Sequence, residues 1–152
     1  MNSASRPTPS ELQADHYPFV TDAAPRFGDI DIYAHVNNVS IARLFEEGRL
    51  KFALHYRKIP FNKLAGSEEK ILVASSLINY IGEVFYPDPV KVYMGVVDIG
   101  SSSYTISCLM TQSGHPVAHS RCTMVRVEEG QSKPLSNALR QSLSELKVIW
   151  PE

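Results

Sequence analysis

The central element of this chain is predicted by residues 39–56, which read VSIARLFEEGRLKFALHY. Asn37 or Asn38 precedes them, and the short side chain of either residue can cap the first turn of a helix. A helix over these residues would be roughly 27 Å long. Apolar or small residues recur on one of its faces with helical spacing, at Ile41, Leu44, Phe45, Gly48 and Phe52.

Strand candidates flank this helix on both sides. One short strand is predicted between Tyr17 and Phe27, before the helix. After a loop at residues 57–69, four runs rich in β-branched and apolar residues are separated by Gly or Pro turns. These runs are residues 71–82, 89–100, 103–112 and 116–127. The last three have short connections and are expected to form an antiparallel meander. A short amphipathic helix is predicted from Ser136 to Lys147.

The order of these elements predicts an α+β protein. A single apolar helix cannot bury itself, so the one large sheet must wrap around it. At 152 residues the chain fits one domain. We expect a polar, Pro-bearing N-terminal tail at residues 1–15, a single domain at 16–147 and a C-terminal tail at 148–152.

Composition excludes several functional classes. The formal net charge of −1 provides no general attraction to nucleic acid. No apolar run approaches the ~20 residues that a membrane span needs, and the N-terminus lacks the order of a secretory signal. Cys108 and Cys122 are the two cysteines, with no Cys-x-x-Cys spacing, so neither a disulfide scaffold nor a zinc knuckle is expected. A cytoplasmic location is predicted.

The segment RFGDIDIYAHVNN, residues 26–38, carries the most chemistry. Asp29, Asp31 and His35 lie in it, directly before the predicted helix. A helix N-terminus has unpaired backbone N–H groups and a partial positive charge, which suit an oxyanion. A carboxylate held beside it can attack a carbonyl or activate water, so the pattern favours acyl transfer.

The segment also resembles a known family. Residues 26–31 (RFGDID), 34–38 (AHVNN) and 45–49 (FEEGR) are similar to the signature of the 4-hydroxybenzoyl-CoA thioesterase-like branch of hotdog acyl-CoA thioesterases. Similar residues also recur at Asn79–Tyr80, Pro87–Asp88, Ile99–Ser103 and Pro134–Leu135. The resemblance covers roughly residues 17–140. It implies a hotdog fold, in which an antiparallel sheet of five or six strands wraps around a long central helix.

The resemblance further implies an acyl-CoA thioesterase that is a homodimer or homotetramer with active sites between subunits. Asp31 stands at the catalytic position, as nucleophile or general base. Backbone N–H groups around Asn38 and Val39 would polarise the thioester carbonyl, and His35 and Asn37 complete the substrate-binding set. No cofactor or metal is implied. The substrate is an acyl-CoA or an acyl carrier protein, and its acyl group cannot be read from the sequence.

One residue departs from the family pattern. The family usually has glycine before the histidine, where this chain has Ala34. If the backbone there requires a positive φ, alanine is strained. The asparagine that plant-type acyl-carrier-protein thioesterases place two residues before the histidine is replaced here by Tyr33, so their asparagine–histidine chemistry is not expected.

Several of these residues also have purely structural interpretations. Asp29 is expected to hydrogen-bond the loop backbone, and a role in catalysis is secondary. His35 either orients substrate or locks the loop, and Asn37 is most simply a helix cap. Glu47 is the rival catalytic carboxylate, because another hotdog branch uses a helix glutamate; otherwise it is a solvated side chain. The Asp29–Asp31 pair has no further ligand nearby at a spacing suited to a metal.

Two other functions compete with thioester hydrolysis. A hotdog hydratase or dehydratase would use a different histidine-plus-acid motif, which the sequence does not contain. A non-catalytic acyl-CoA-binding module would need an output domain for which the chain has no room. The candidate cations for the phosphates of coenzyme A are Arg57, Lys58, Lys91, Arg121 and Arg126, with none preferred.

Overall fold

The computed structural model describes residues 6–151, and its longest element is the central helix, α1, at Asn38–Arg57. The side chain of Asn37 caps it by accepting a hydrogen bond from the Val39 amide, and Lys58 ends it in a left-handed conformation at φ 55°. The observed bounds lie within one residue of the predicted ones. Its buried face consists of Ile41, Leu44, Phe45, Gly48, Phe52 and Tyr56.

Six strands form one sheet in the order β1-β3-β4-β5-β2, with β6 pairing β5. All pairings between the strands are antiparallel. The strands are β1 Phe19–Ala23, β2 Ile71–Tyr80, β3 Val90–Ile99, β4 Ser103–Gln112, β5 His115–Glu128 and β6 Gln131–Ser132. The predicted meander of β3, β4 and β5 is confirmed, and so is the α+β class with a sheet curled around one helix.

Two shorter helices lie outside this frame. The first, α2 at Phe61–Leu64, falls within the predicted loop at 57–69, where Pro60 precedes it. The second, α3 at Asn137–Ser144, is the predicted C-terminal helix in shortened form. Its cap is Ser136, whose hydroxyl accepts from the Leu139 amide at 3.1 Å.

The inner face of the sheet packs against α1 and forms the main core. Gly48 lets the helix approach β3 closely, since a Cβ there would lie 2.8 Å from the Met94 side chain. The two cysteines are buried and free, and they are not directly opposite one another: Cys108 pairs with Ser120, and Cys122 with Ile106.

The outer face of the sheet is covered by both ends of the chain. On the N-terminal side, a 3₁₀ helix at Pro9–Leu12 lies against β4 and β5, and a second one at Ala14–His16 follows it. On the C-terminal side, the Val148 amide donates to the Val96 carbonyl of β3 at 3.0 Å, and the Ile149 amide donates to the His16 carbonyl at 2.9 Å. The terminal segments therefore close the back of the sheet.

The N-terminal part of this cover differs from the tail expected at residues 1–15. Glu11 is 1% exposed and accepts a hydrogen bond from Arg121 at 2.6 Å, while the Tyr17 hydroxyl donates to the Glu11 carbonyl at 2.7 Å. The ion pair between Glu11 and Arg121 of β5 fixes this segment. No local sequence pattern predicts such a long-range contact. Residues 1–5 lie outside the described part of the chain.

Strand β2 forms one edge of the sheet. It contains no charged residue or proline, although these are common devices that protect an edge strand from pairing. Its middle residues, from Leu72 to Leu77, are all exposed in the single chain. Within residues 6–151, no helix is both long enough and apolar enough to cross a membrane.

Candidate active site

A tight turn at residues 31–34 presents the predicted catalytic carboxylate. The Asp31 amide donates to the His35 carbonyl at 2.9 Å, and the Ala34 amide donates to the Asp31 carbonyl at 3.1 Å. Ile30 and Val36 form an antiparallel bridge below the turn. Asp31 is thus held at a defined position by its own backbone.

Two further backbone hydrogen bonds fix this turn to the rest of the chain. The Asn37 amide donates to the Asp29 carbonyl at 2.8 Å, which ties the start of α1 to the residue two before Asp31. The Val36 amide donates to the Val84 carbonyl at 2.8 Å, which ties the turn to the segment that follows β2. The loop and the helix start therefore form one rigid unit.

Ala34 adopts a left-handed backbone conformation at φ 63°. Alanine is strained there, because its Cβ crowds the following carbonyl, whereas glycine adopts the conformation freely. From the sequence, alanine is expected to be strained if this position requires a positive φ. The turn does require a positive φ, so Ala34 adopts it with a conformational strain that glycine would not have.

The Asp31 carboxylate is partly exposed, and one of its oxygens is restrained. Its Oδ1 accepts from the Tyr33 amide at 2.9 Å. No donor within residues 6–151 reaches the second oxygen. The neighbours at the tip of the turn are far more open, with Ile32 91% and Tyr33 73% exposed. Two large apolar side chains directed at solvent are typical of a surface that another molecule covers.

The amides at the start of α1 differ in availability. The Val39 amide is occupied, since it donates to Asn37 Oδ1 at 2.8 Å. The Asn38 amide has no partner in the described part of the chain. The Asn38 carbonyl accepts from the Tyr80 hydroxyl at 3.3 Å, which links the helix start to the end of β2. Of the two amides predicted to polarise the substrate, Asn38 is the free one.

Asp29 is 2% exposed and is the anchor of the loop. Its Oδ2 accepts from the Arg26 amide at 2.7 Å and from the Arg43 guanidinium at 2.6 Å. Burial raises the pKa of Asp29, but hydrogen bonds from Arg26, Arg43 and Ser40 outweigh it and lower the pKa to about 2. The structural interpretation of Asp29 fits this geometry. The role of Arg43 was not predicted, because no local pattern links it to a residue 14 positions away.

His35 and Glu47 both engage in contacts that hold the structure. His35 Nε2 lies 3.3 Å from the Glu83 carboxylate, and its ring packs edge-on against Phe85 at 5.3 Å. The Glu47 carboxylate lies 3.5 Å from Arg43 and 3.2 Å from Lys51.

Lys51 also donates to the Asp22 carbonyl of β1 at 2.7 Å. Glu47 is therefore linked to β1 through Lys51 and to Asp29 of the loop through the Arg43 guanidinium.

A serine, a histidine and a glutamate also meet on the outer face of the sheet, but they do not form a catalytic triad. Ser107 Oγ lies 2.9 Å from His119 Nε2, and Glu11 lies 3.7 Å from the same nitrogen. A triad needs the acid on the other ring nitrogen. Burial lowers the pKa of His119 to about 4 despite the Glu11 charge, and both residues are 1% exposed, so substrate has no access.

Four cavities of the single chain measure about 430, 390, 280 and 270 Å³, and residues 26–38 line none of them. Within the described residues, no three His, Cys, Asp or Glu side chains are grouped as a metal site.

Most of the predicted cations already have acidic or carbonyl partners. Arg121 binds Glu11, and Lys91 lies 3.0 Å from Asp22. Arg126 lies 3.4 Å from Glu69. Of the sequence-predicted residues, the structure brings Asp31, His35, Asn37, Asn38 and Val39 together in one turn-and-helix unit. Glu47 lies outside this unit and is linked to Asp29 through Arg43.

Comparison with known proteins identifies the family. Residues 25–143 match the family model described as the thioesterase-like superfamily. The protein YsmA of Bacillus subtilis (strain 168) is 27% identical over 121 residues, which cover 79% of this chain and 80% of YsmA.

Two solved structures named as thioesterases share the fold. A thioesterase from Thermus thermophilus, complexed with coenzyme A and Zn, is 26% identical at a TM-score of 0.76 over 88% of this chain and 96% of that one. A predicted thioesterase from Bacillus stearothermophilus is also 26% identical at a TM-score of 0.76, over 88% of this chain and 98% of that one. This chain therefore belongs to the thioesterase-like superfamily, and the prediction of a hotdog-fold thioester hydrolase is confirmed at the level of fold and family.

Proposed function

We propose that this chain hydrolyses acyl-CoA thioesters to the free acid and the CoA thiol, with Asp31 as the catalytic carboxylate and the start of α1 as the oxyanion site. One observation carries the proposal: the turn that bears Asp31 is hydrogen-bonded directly to the helix start, where the Asn38 amide is free within the described residues. A carboxylate and an oxyanion donor in one rigid unit are the two elements that acyl transfer needs. An acyl carrier protein is the other possible thiol carrier.

Asp31 can act by either of two routes. As a nucleophile, its free oxygen adds to the thioester carbonyl carbon, the C–S bond breaks, the thiolate leaves, and water then opens the mixed anhydride. As a general base, it takes a proton from a water molecule that adds to the same carbon; the tetrahedral adduct then collapses, the C–S bond breaks and the thiolate leaves. The hydrogen bond from Tyr33 to Oδ1 leaves the second oxygen free for either role.

The Asn38 amide is the oxyanion donor in this proposal. The Asn37 cap occupies the Val39 amide and thereby holds the first turn in place. The partial positive charge of the helix start adds to the attraction for developing negative charge. One well-placed donor of this kind contributes about 3 kcal/mol to stabilising a transition state.

Neither rival carboxylate suits the role. Asp29 is buried, and its pKa is held at about 2 by hydrogen bonds that occupy it fully. Glu47 is paired with Arg43 and Lys51 on the β1 side of the helix. His35 is assigned to positioning the turn against Glu83, with substrate contact through its exposed edge.

The proposed unit of activity is a homodimer formed through β2. The larger alternative is a homotetramer made of two such dimers. The unprotected edge of β2, its exposed middle and the exposed apolar tip at Ile32 and Tyr33 support this assembly. None of the four cavities described above includes Asp31, which supports a substrate site that a second subunit completes. The cytoplasmic location stays a prediction.

The decisive test of catalysis is Asp31→Asn, with release of free thiol from acyl-CoA as the assay. The substitution keeps the Oδ1 acceptor for Tyr33 but removes the negative charge, so we expect turnover to fall by at least about 100-fold while the melting temperature stays near that of the native protein. Asp98→Asn, on an exposed residue of β3, is the matched control and should be fully active. Near-native turnover in Asp31→Asn would refute the assignment, and formation of a double bond without thiol release would indicate a hydratase.

The dimer is tested by Ser75→Glu in the middle of β2. A two-fold axis near this residue brings two added carboxylates together, so the dimer should dissociate in sedimentation experiments and thiol release should fall with it. Ser144→Glu, at the exposed end of α3, is the control and should sediment like the native protein. A Ser75→Glu protein that remains dimeric would exclude the β2 interface.

A further inference from the structure

We propose that the 390 Å³ cavity at the end of α1 receives the acyl group of a thioester held by Asp31 of the partner subunit, and that it selects apolar acyl groups larger than benzoyl. The inference rests on the proposed function and on the β2 dimer. It assigns a place for the acyl group that the catalytic turn itself does not provide.

Seven of the eleven residues that line this cavity are apolar, among them Tyr56 and Met124. The other four are Arg57, Ser67, Glu69 and Lys70. The Arg57 guanidinium is not free to attract an anion, because it binds the Ser67 hydroxyl and the Glu69 carbonyl. The aliphatic part of the wall consists of Ala53, Leu64, Ala65, Ile71 and Leu72.

The volume of the cavity gives the size of the group. An apolar cavity of about 150 Å³ holds one benzene molecule, and this cavity has about 390 Å³. An acetyl or butyryl group would leave most of it empty, whereas a medium-chain fatty acyl group would fill it. Filling an apolar cavity removes more apolar surface from water and strengthens binding.

The position of the cavity follows from the pairing of the two β2 strands. An antiparallel pairing over the whole strand places Ile71 opposite Tyr80 of the partner subunit. In each chain the Tyr80 hydroxyl donates to the Asn38 carbonyl at the start of α1. The cavity, whose wall includes Ile71 and Leu72, therefore opens toward the helix start and the catalytic turn of the other subunit.

The neighbouring cavity of about 430 Å³ differs from the proposed site mainly in its position. It lies between α1 and α3, and no residue of β2 lines it. It shares Tyr56, Arg57, Ser67 and Glu69 with the proposed site. Glu68 and Arg126 are charged residues of its wall that the proposed site lacks, and neither Ile71 nor Leu72 lines it.

This contrast supplies a matched pair of variants. Ala65→Phe adds a ring to the proposed cavity at an exposed position, and Ala138→Phe adds the same ring to the neighbouring cavity at another exposed position. The measurement is kcat/KM for lauroyl-CoA relative to acetyl-CoA. We expect Ala65→Phe to lower this ratio by at least about 10-fold and Ala138→Phe to change it by less than about twofold. Leu64→Trp fills the same cavity from the adjacent residue and replaces Ala65→Phe if that protein does not fold.

The outcomes separate this inference from the proposed function. If both cavity variants keep the native ratio, or if Ala138→Phe lowers it equally, the acyl assignment is overturned while thioesterase activity stands. If the native protein releases no thiol, calorimetric binding of a lauroyl-CoA thioether replaces the assay. If only Ala65→Phe binds the thioether more weakly than the native protein, the cavity is supported as the acyl site even though the proposed hydrolysis fails. If both variants bind with equal affinity, or the native protein does not bind, the acyl assignment is overturned.

Discussion

Replacing Asp29 by asparagine should destabilise the protein by an amount that depends on pH. The Asp29 carboxylate is buried close to the turn that bears Asp31 and accepts hydrogen bonds from Arg26 and Arg43, which hold its pKa at about 2 against an ordinary value of 3.8. A shift of one pKa unit corresponds to 1.36 kcal/mol, so the ionised carboxylate contributes about 2 kcal/mol to the free energy of unfolding at pH 7.

The direction of the pH dependence follows from the lowered pKa. The contribution is fully present above the unfolded-state pKa near 3.8 and is lost as the pH falls through the folded-state value of about 2. About 1 kcal/mol of it remains at pH 3. The gap in unfolding free energy between native protein and Asp29→Asn should therefore shrink from about 2 kcal/mol at pH 7 to about 1 kcal/mol at pH 3.

Urea unfolding followed by circular dichroism at both pH values measures this gap. Asp31→Asn is the matched control, because it makes the same chemical change two residues away on a partly exposed side chain. The unfolding free energy of Asp31→Asn should differ from that of the native protein by less than about 0.5 kcal/mol at both pH values. A gap for Asp29→Asn that is the same at pH 7 and pH 3 would refute the reasoning, since the charge would then not be the source of the stabilisation.

Two further substitutions test the backbone and the packing. Ala34→Gly relieves the left-handed strain at φ 63°. It should stabilise the protein by about 0.5–1 kcal/mol, after subtraction of the extra entropy that glycine gives the unfolded chain. Ala138→Gly is the control and should lower the melting temperature, because residue 138 lies in helix α3. Gly95→Ala should destabilise by about 1–3 kcal/mol in urea unfolding, because its Cβ would lie 2.6 Å from Val148 and 2.8 Å from Pro18; unchanged stability would show that the terminal segments do not pack there as described.

The sequence predicts the elements whose signal is local. Helix α1 is marked by an apolar series and an asparagine cap, and both are observed. The strands are marked by β-branched runs between turns. Because the connections of the meander are short, β4 has to lie between β3 and β5, as observed. The family signature adds the turn that bears Asp31, and the position of this turn beside the helix start follows from its place in the chain.

The features that the sequence does not reveal depend on distant contacts. Glu11 is acidic and lies in a polar, Pro-bearing segment that is expected to be loose, yet Arg121 and Thr8 hold it in a buried site. Arg43 has the spacing of an ordinary surface residue, and its contact with Asp29 exists only after the loop folds back onto α1. Such ion pairs follow from the tertiary structure and carry no periodic signal.

The short helix α2 is missed by the sequence pattern for a different reason. Its four residues follow Pro60, which occupies the N-cap position without a side-chain cap hydrogen bond, and such a short run has too few positions for a period to be recognised.

The closed back of the sheet bears on how larger assemblies can be built. The two terminal segments lie over β3, β4 and β5 and are hydrogen-bonded to each other through Ile149 and His16. A pair of dimers that stacked back to back would therefore touch through these end segments and not strand against strand. Substitutions within residues 9–16, or at Val148 and Ile149, would then alter quaternary structure while leaving the turn that bears Asp31 intact in each subunit.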